Sequence, residues 1–103
     1  MVKVIWTDTA IEDIQSIGEF IAKDSVRYAE ITVQELFSTV DILEDHPKAG
    51  PIVPEFQIES IRQLIRGNYR IIYSIIDDSQ IDILTVHRSE RLLSNTRPFK
   101  ASS

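Results

Sequence analysis

The feature that most constrains this fold is a change in the spacing of apolar residues around the segment KAGPIVPEF, residues 48–56. Before this segment, apolar residues recur every three or four positions, as they do on one face of a helix. After it, they occur in short β-branched and aromatic runs, which are typical of strands. Pro47 ends the helical pattern, because proline cannot continue a helix. The chain therefore predicts helices first and a sheet afterwards.

Two helices are predicted in the first half, after a short strand formed by VKVIW. The first helix begins near Thr7, Asp8 or Thr9, residues that can cap it. Its apolar face comprises Ala10, Ile14, Ile17 and Ile21. The second helix is expected from Ser25 to about Asp45, ahead of Pro47. Only a few residues separate the two helices, which favours an antiparallel hairpin.

The second half contains three strand-like runs: IESIRQLIR, YRIIYSIID and QIDILTVHR. Turn signals separate them, first Gly67-Asn68 and then Asp77-Asp78-Ser79. They predict an antiparallel meander, followed by a tail with a short helical turn at Ser89–Leu93. The expected fold is thus a single α+β domain over residues 1–103: an N-terminal strand, a two-helix hairpin and a three-stranded antiparallel meander, in the order β-α-α-β-β-β.

Hairpin geometry assigns side chains to the two faces of the meander, because opposed residues share a face. Two-residue turns oppose Ile65 to Arg70 and Arg70 to His87. One face is expected to pack under the helices: Leu64, Ile71, Tyr73, Ile75, Leu84 and Val86. The other is expected to form a largely apolar groove: Ile61, Gln63, Ile65, Arg70, Ile72, Ser74, Ile81, Ile83, Thr85 and His87. A slip of one residue would exchange the faces.

Composition excludes several functional classes. The chain has no cysteine and only two histidines, which argues against a zinc site and leaves no metal or other cofactor expected. No apolar run is long enough to span a bilayer and the N-terminus does not resemble a signal peptide, so we expect a cytoplasmic protein without a membrane partner. The net charge is −5. Acids dominate residues 1–60, whereas cations, six of them arginine, outnumber acids in residues 61–103.

Arg70 is the residue that most needs a reason, because a charged side chain interrupts an otherwise apolar strand. A structural interpretation pairs it with Glu90 or with an acid from a loop. A functional interpretation places it in the groove to receive an anionic group, with His87 as its neighbour. The residues by themselves leave both interpretations open.

Several strings together resemble the RelE/ParE superfamily of toxins from bacterial type II toxin–antitoxin systems. They are WTDTAIEDI with IGEFIA, HPKAGPIVPEF, IRQLIRGNYRIIYSIID and ILTVHRSERLL, and they cover nearly the whole chain. The combination of IRxL, GNYRIIY and the final V-x-x-S-x-R-L-L is closer to the ParE-like, plasmid-stabilisation branch than to the RelE branch.

The resemblance implies a toxin neutralised by a cognate antitoxin protein, in a hetero-oligomer where the antitoxin's C-terminal segment wraps the toxin. ParE-like members act on DNA gyrase, whereas RelE-like members cut messenger RNA on the ribosome. The family's YR arginine falls on Arg70. The two strand lysines of RelE-like enzymes fall on Ile61 and Gln63, and their C-terminal tyrosine falls near Asn95. The family's final histidine falls on Arg88, which leaves His87 on the opposite face.

These departures favour a ParE-like gyrase inhibitor that is not an enzyme. The alternative is a metal-independent, RelE-like mRNA interferase that would use Arg70, His87 and Arg88, although an acidic chain is poorly suited to ribosomal RNA. A third alternative is an inactive relative that only binds antitoxin. The expected antitoxin contacts are Ile65, Arg70, Ile72, Ile83 and His87. The expected target contacts are Arg88, Arg91, Leu92, Leu93 and Arg97.

Overall fold

A computed structural model describes residues 1–89 of the chain. The elements are β1 (Lys3–Trp6), α1 (Asp8–Ala22), α2 (Val26–Thr39), a 3-10 helix (Val40–Glu44), β2 (Ile61–Arg66), β3 (Tyr69–Asp77) and β4 (Gln80–Arg88). This order confirms the predicted α+β arrangement, β-α-α-β-β-β. The predicted helical turn at Ser89–Leu93 lies outside the described residues, apart from Ser89 itself.

Both helices begin at the capping residues that the sequence offers. The Thr7 hydroxyl accepts the Ala10 amide at 3.2 Å and donates to the Ile83 carbonyl at 2.6 Å, so the cap also ties α1 to the sheet. Ser25 caps α2 by accepting the Tyr28 amide at 3.1 Å. The predicted second helix is α-helical only to Thr39 and then tightens into the 3-10 helix. In the described part of the chain, no helix is both long and apolar enough to cross a membrane.

The four strands form one sheet in the order β1-β4-β3-β2. The meander β2-β3-β4 is antiparallel, as expected, but β1 pairs in parallel with β4, so the sheet is mixed. Every predicted β2–β3 pair is present, including Ile65 opposite Arg70. Gly67 adopts a φ of +59° at the first turn position, where a tight hairpin requires positive φ.

The predicted register between β3 and β4 is correct near Arg70 and wrong further along. Arg70 lies opposite His87 and Ile72 opposite Thr85, but irregularities then leave Leu84 and Ile76 without partners. Tyr73 consequently pairs with Ile83, and Ile75 with Ile81. A bulge moves the following side chains to the other face of the sheet, because side chains alternate along a strand.

The core between the helices and the sheet reflects this shift. Its buried members are Ala10, Ile14, Leu36, Val40, Leu43, Ile71, Tyr73, Ile81, Ile83 and Val86. The prediction that Leu84 is buried in this core is therefore wrong, since Leu84 is only half-buried. The prediction that Ile81 and Ile83 face a groove is also wrong, because the register irregularities place both side chains in the core, where they are fully buried.

Candidate functional site

Arg70 lies on the second face of the sheet, the face away from the helices, and its guanidinium is fully engaged within the chain. It forms a bidentate ion pair with Glu55, at 2.8 Å and 3.0 Å. Its Nε and one terminal nitrogen donate to Oε1 of Gln63, at 2.9 Å and 2.5 Å. Arg70 is only 6% exposed, and Gln63 is buried as well. The loop acid of the structural interpretation is present, and it is Glu55.

Glu55 belongs to residues 46–60, here called the edge segment, which passes along the free edge of β2. Ile52 forms an antiparallel bridge with Arg62, and the Gln63 amide donates to the Pro51 carbonyl at 3.0 Å. A Cβ at Gly50 would overlap the backbone of Gln63, so only glycine permits this close approach. The segment thus passes from the helix side of the sheet to the second face, where Glu55 meets Arg70.

Tyr73 and Arg62 fasten the start of the edge segment. The Tyr73 hydroxyl donates to the Pro47 carbonyl at 2.8 Å and accepts the Gly50 amide at 3.1 Å. Arg62 donates to the Gly50 carbonyl at 3.0 Å. Burial raises the pKa of the Tyr73 phenol, and the Gly50 amide and the Arg62 charge oppose that rise only in part.

The second face does not form the exposed apolar groove that the sequence suggested. Of the five expected antitoxin contacts, only Ile65 and His87 are exposed. Ile72 is 7% exposed and Ile83 fully buried, and Arg70 is held by Glu55. Those three side chains offer no surface to a partner in this conformation.

The three groups required by the nuclease alternative do not converge in the described structure. His87 lies opposite Arg70 on the second face, whereas Arg88 lies opposite Tyr69 and points to the helix side. The strand bulge that could have brought His87 to the other face lies at Leu84 instead. Within residues 1–89, no group of three or more His, Asp or Glu side chains could hold a metal ion.

A cleft opens on the helix side, between the α1–α2 turn and the β2–β3 turn, with a volume of about 370 Å³. We call it the tip cleft. Its lining residues are Phe20, Ile21, Asp24, Ser25, Tyr28, Thr32, Glu35, Leu36, Arg66, Gly67, Asn68, Tyr69 and Arg88. Phe20 and Tyr28 are 63% and 60% exposed, large values for aromatic side chains. A smaller hollow adjoins the cleft, because it shares Phe20, Tyr69 and Arg88 with it.

The tip cleft is lined by charged side chains and by the hydroxyl of Thr32. Arg66 approaches Glu35 at 3.5 Å, and both side chains are about half exposed. No carboxylate of the described residues pairs with Arg88, which is exposed. Thr32 is only 6% exposed, and its hydroxyl forms no hydrogen bond with any described residue. Among residues 1–89, the buried side-chain oxygen without a hydrogen-bond partner is that of Ser89, the residue after Arg88. A buried polar group without a partner is uncommon and calls for an explanation.

Sequence reasoning found Arg88 but missed most of this cleft. The other expected target contacts, Arg91, Leu92, Leu93 and Arg97, lie outside the described residues. Thr32 has no sequence signal, because one threonine in a helix is usually solvated or bonded to its own backbone. Phe20 and Tyr28 could have been noticed, since each is an aromatic residue at a position outside the apolar face of its helix.

Comparison with protein families gives one match that spans most of the chain. Residues 4–93 match the family model described as "ParE toxin of type II toxin-antitoxin system, parDE". A Sinorhizobium fredii protein named "Putative toxin Y4kP" is 33% identical over 86 residues, which cover 82% of this chain and 84% of the relative.

Two solved structures have a similar fold. The first, described as "Chromosomal ParDE TA system from P. aeruginosa", aligns with a TM-score of 0.71 at 22% identity and covers 87% of this chain and 98% of its own. The second is the RelBE2 toxin–antitoxin complex from Mycobacterium tuberculosis, with a TM-score of 0.53 at 25% identity, covering 84% of this chain and 96% of its own. Both are toxin–antitoxin structures, one from each branch that the sequence resembles.

Proposed function

This chain belongs to the ParE toxin family of type II toxin–antitoxin systems, and from that membership we propose that it inhibits DNA gyrase and is neutralised by a cognate antitoxin. The toxin acts in the cytoplasm as a non-nucleolytic protein. It needs no proton-transfer machinery, because a gyrase inhibitor acts by occupying a surface of its target.

The observation that carries the proposal is the separation of the groups that metal-free RNA cleavage would require. Such cleavage needs a cation on the scissile phosphate and a nearby group that exchanges a proton. Arg70 is occupied by Glu55 and Gln63, and His87 and Arg88 lie on opposite faces of β4. The net charge of −5 also opposes docking on ribosomal RNA, whose affinity comes largely from phosphate neutralisation.

The test is to induce the protein and measure two products side by side: gyrase-dependent DNA breaks and cleavage of ribosome-bound mRNA. We expect DNA breaks that require gyrase, and unchanged mRNA. His87→Ala should retain growth inhibition, because no proton transfer is involved. Cleavage of mRNA between codon positions, abolished by His87→Ala in a folded protein, would replace this proposal with the interferase. If neither product forms, the third alternative, an inactive relative that only binds antitoxin, replaces the proposal.

The interferase remains the second candidate because of one observation: Arg70 and His87 are direct cross-strand neighbours on the second face. If Glu55 released Arg70, the two side chains could hold a phosphate and a proton-exchanging group together. Glu55→Gln tests this directly. It should leave mRNA intact if the chain is a gyrase inhibitor, and it should increase mRNA cleavage if Glu55 restrains a nuclease.

The proposed target contacts are Arg88 and the cationic tail, with Arg91, Leu92, Leu93 and Arg97. Ser89 is buried and its amide donates to the Asn68 carbonyl at 2.7 Å, so a truncation should retain Ser89. We expect removal of residues 90–103, or Arg91→Glu, to abolish growth inhibition while the domain stays folded. Inhibition that survives the truncation would place the target surface within residues 1–89.

The antitoxin half of the proposal has its own readout. A partner that binds only the folded toxin raises its melting temperature in proportion to the logarithm of partner concentration. The product of a neighbouring short reading frame should therefore stabilise the purified chain and abolish its toxicity. If that protein changes neither the melting temperature nor the toxicity, it is not the antitoxin, and this half of the proposal fails.

A further inference from the structure

We propose that the tip cleft is the anchor site for a segment of the cognate antitoxin in which an apolar side chain lies next to a carboxylate. This inference rests on the antitoxin partnership proposed above and adds a place and a chemistry to it. It moves the anionic contact from Arg70, where the sequence put it, to Arg88.

The first support is the contrast between satisfied and unsatisfied groups. The polar side chains that contact the edge segment, Arg70 and Tyr73, form hydrogen bonds within the chain. In the tip cleft, the guanidinium of Arg88 has no carboxylate partner among the described residues, and the Thr32 hydroxyl, which also lines the cleft, forms no hydrogen bond with any of them. A carboxylate could accept a hydrogen bond from both types of group.

The second support is the charge balance, which selects a carboxylate over a phosphate. The cations Arg66 and Arg88 lie on the sheet wall, but the helix wall carries Asp24 and Glu35. Glu35 already approaches Arg66, which leaves Arg88 as the cleft cation without a carboxylate partner among residues 1–89. A single negative charge suits that cation, whereas a doubly charged phosphate would be repelled by the two acids.

The third support is shape. At about 370 Å³ the cleft is near the lower end of the range for ligand sites, and the adjoining hollow extends it past Arg88. An elongated occupant, such as a peptide, can fill both parts. The exposed rings of Phe20 and Tyr28 flank the opening, and Leu36 is buried beside Thr32. These residues provide the apolar contact that anchors a side chain.

The test measures the affinity of the full-length toxin for its antitoxin by calorimetry in four forms: wild type, Arg88→Glu, Thr32→Val and Arg27→Glu. Arg27 is the matched control, because it is an exposed arginine on α2 that does not line the cleft. We expect Arg88→Glu to weaken binding by about tenfold or more and Thr32→Val by several-fold, on the order seen for charge pairs and buried hydrogen bonds at interfaces. Arg27→Glu should change affinity less than about twofold.

A charge exchange identifies the occupant. Each acid of the antitoxin is changed to lysine in turn, and one such change should restore binding to Arg88→Glu while weakening binding to the wild type. That reciprocal result would assign the carboxylate.

Other outcomes overturn the inference in separable ways. If Arg88→Glu and Arg27→Glu lose affinity equally, the antitoxin senses only net charge and the cleft is not its anchor, although the proposed function stands. If truncation after Ser89 shifts the NMR signals of Thr32 and Tyr69 in the free toxin, the chain's own tail occupies the cleft instead. If the antitoxin does not bind the wild type at all, the proposed function itself fails, and this inference with it.

Discussion

The edge segment and the tip cleft make opposite uses of the same kinds of residue. Along the edge segment, Arg70 and Tyr73 are buried and bonded within the chain. In the tip cleft, Arg88 is exposed and has no carboxylate partner among residues 1–89, and the Thr32 hydroxyl forms no hydrogen bond with any of those residues. Paired groups stabilise the fold, whereas unpaired groups keep their capacity to bind. The contrast separates arginines that build the molecule from those that can recognise another one.

The largest expected effect comes from removing Arg70, the β3 arginine that binds the edge segment through Glu55. Arg70→Ala leaves the buried side-chain oxygen of Gln63 without its arginine donor and removes the ion pair to Glu55, so the free energy of unfolding should fall by about 2–4 kcal/mol. Arg88→Ala is the matched control and should stay within about 0.5 kcal/mol of the wild type. Urea unfolding measures both. Equal losses would remove the distinction between the two regions.

Tyr73→Phe should be next, with a loss of about 1–2 kcal/mol, because it deletes the bonds to Pro47 and Gly50. Burial raises the pKa of Tyr73 above its ordinary value of about 10. Its contribution is therefore fully present below pH 10 and is lost as pH rises through the raised pKa. We expect the free energy of unfolding, measured from about pH 8 to about pH 11, to fall more steeply with rising pH in the wild type than in Tyr73→Phe. If the two proteins show the same pH dependence, the Tyr73 phenol does not have a raised pKa in the folded state.

The two regions also contain ion pairs that can be compared directly. Glu55→Gln breaks a bidentate pair with a buried arginine, and we expect a loss of about 1 kcal/mol, moderated because Glu55 is half exposed. Glu35→Gln breaks a 3.5 Å pair in which both side chains are half exposed, and the loss should be about 0.3 kcal/mol. Denaturant unfolding at low and high salt should show that salt diminishes the second loss more.

The smallest expected effect has the opposite sign. Thr32→Val removes a hydroxyl that bonds to none of residues 1–89, in a side chain that is only 6% exposed, so the free energy of unfolding should be unchanged or rise by up to about 0.5 kcal/mol. Thr7→Val is the matched control, because the Thr7 hydroxyl caps α1 and bonds to β4, and it should cost about 1–2 kcal/mol. Thermal unfolding distinguishes them. A loss of more than about 1 kcal/mol from Thr32→Val would mean that its hydroxyl stabilises the fold after all.

Much of the sheet could be predicted from local signals, but its packing could not. The β2–β3 register followed from the turn at Gly67-Asn68, because a two-residue loop leaves one way to pair the strands. The β3–β4 turn was also correct, yet two irregularities between its ends exchanged Leu84 for Ile83 in the core. Bulges respond to contacts on both sides of a strand, and here the neighbour of β4 is β1, far away in sequence.

The candidate site was likewise predictable in its residue types but not in its contacts. The sequence singled out Arg70 and Arg88 as candidate binding residues, but it could not say which of them is paired within the chain. Glu55 lies 15 residues from Arg70 in the chain, and only the course of the edge segment brings the two together. Thr32 and Arg88 are still further apart in the chain, and they line one cleft because the helical hairpin packs on the sheet.

By itself, then, the sequence determined the order of helices and strands, both hairpin turns, the absence of thiol chemistry and the toxin family. Those properties depend on spacing, turn residues and residue types, which are local and can be read along the chain. The tertiary structure alone decided which arginine is neutralised, which isoleucines are buried and where a cleft opens. Burial and charge pairing are properties of distances in space, and they depend on residues that the chain brings together only when it folds.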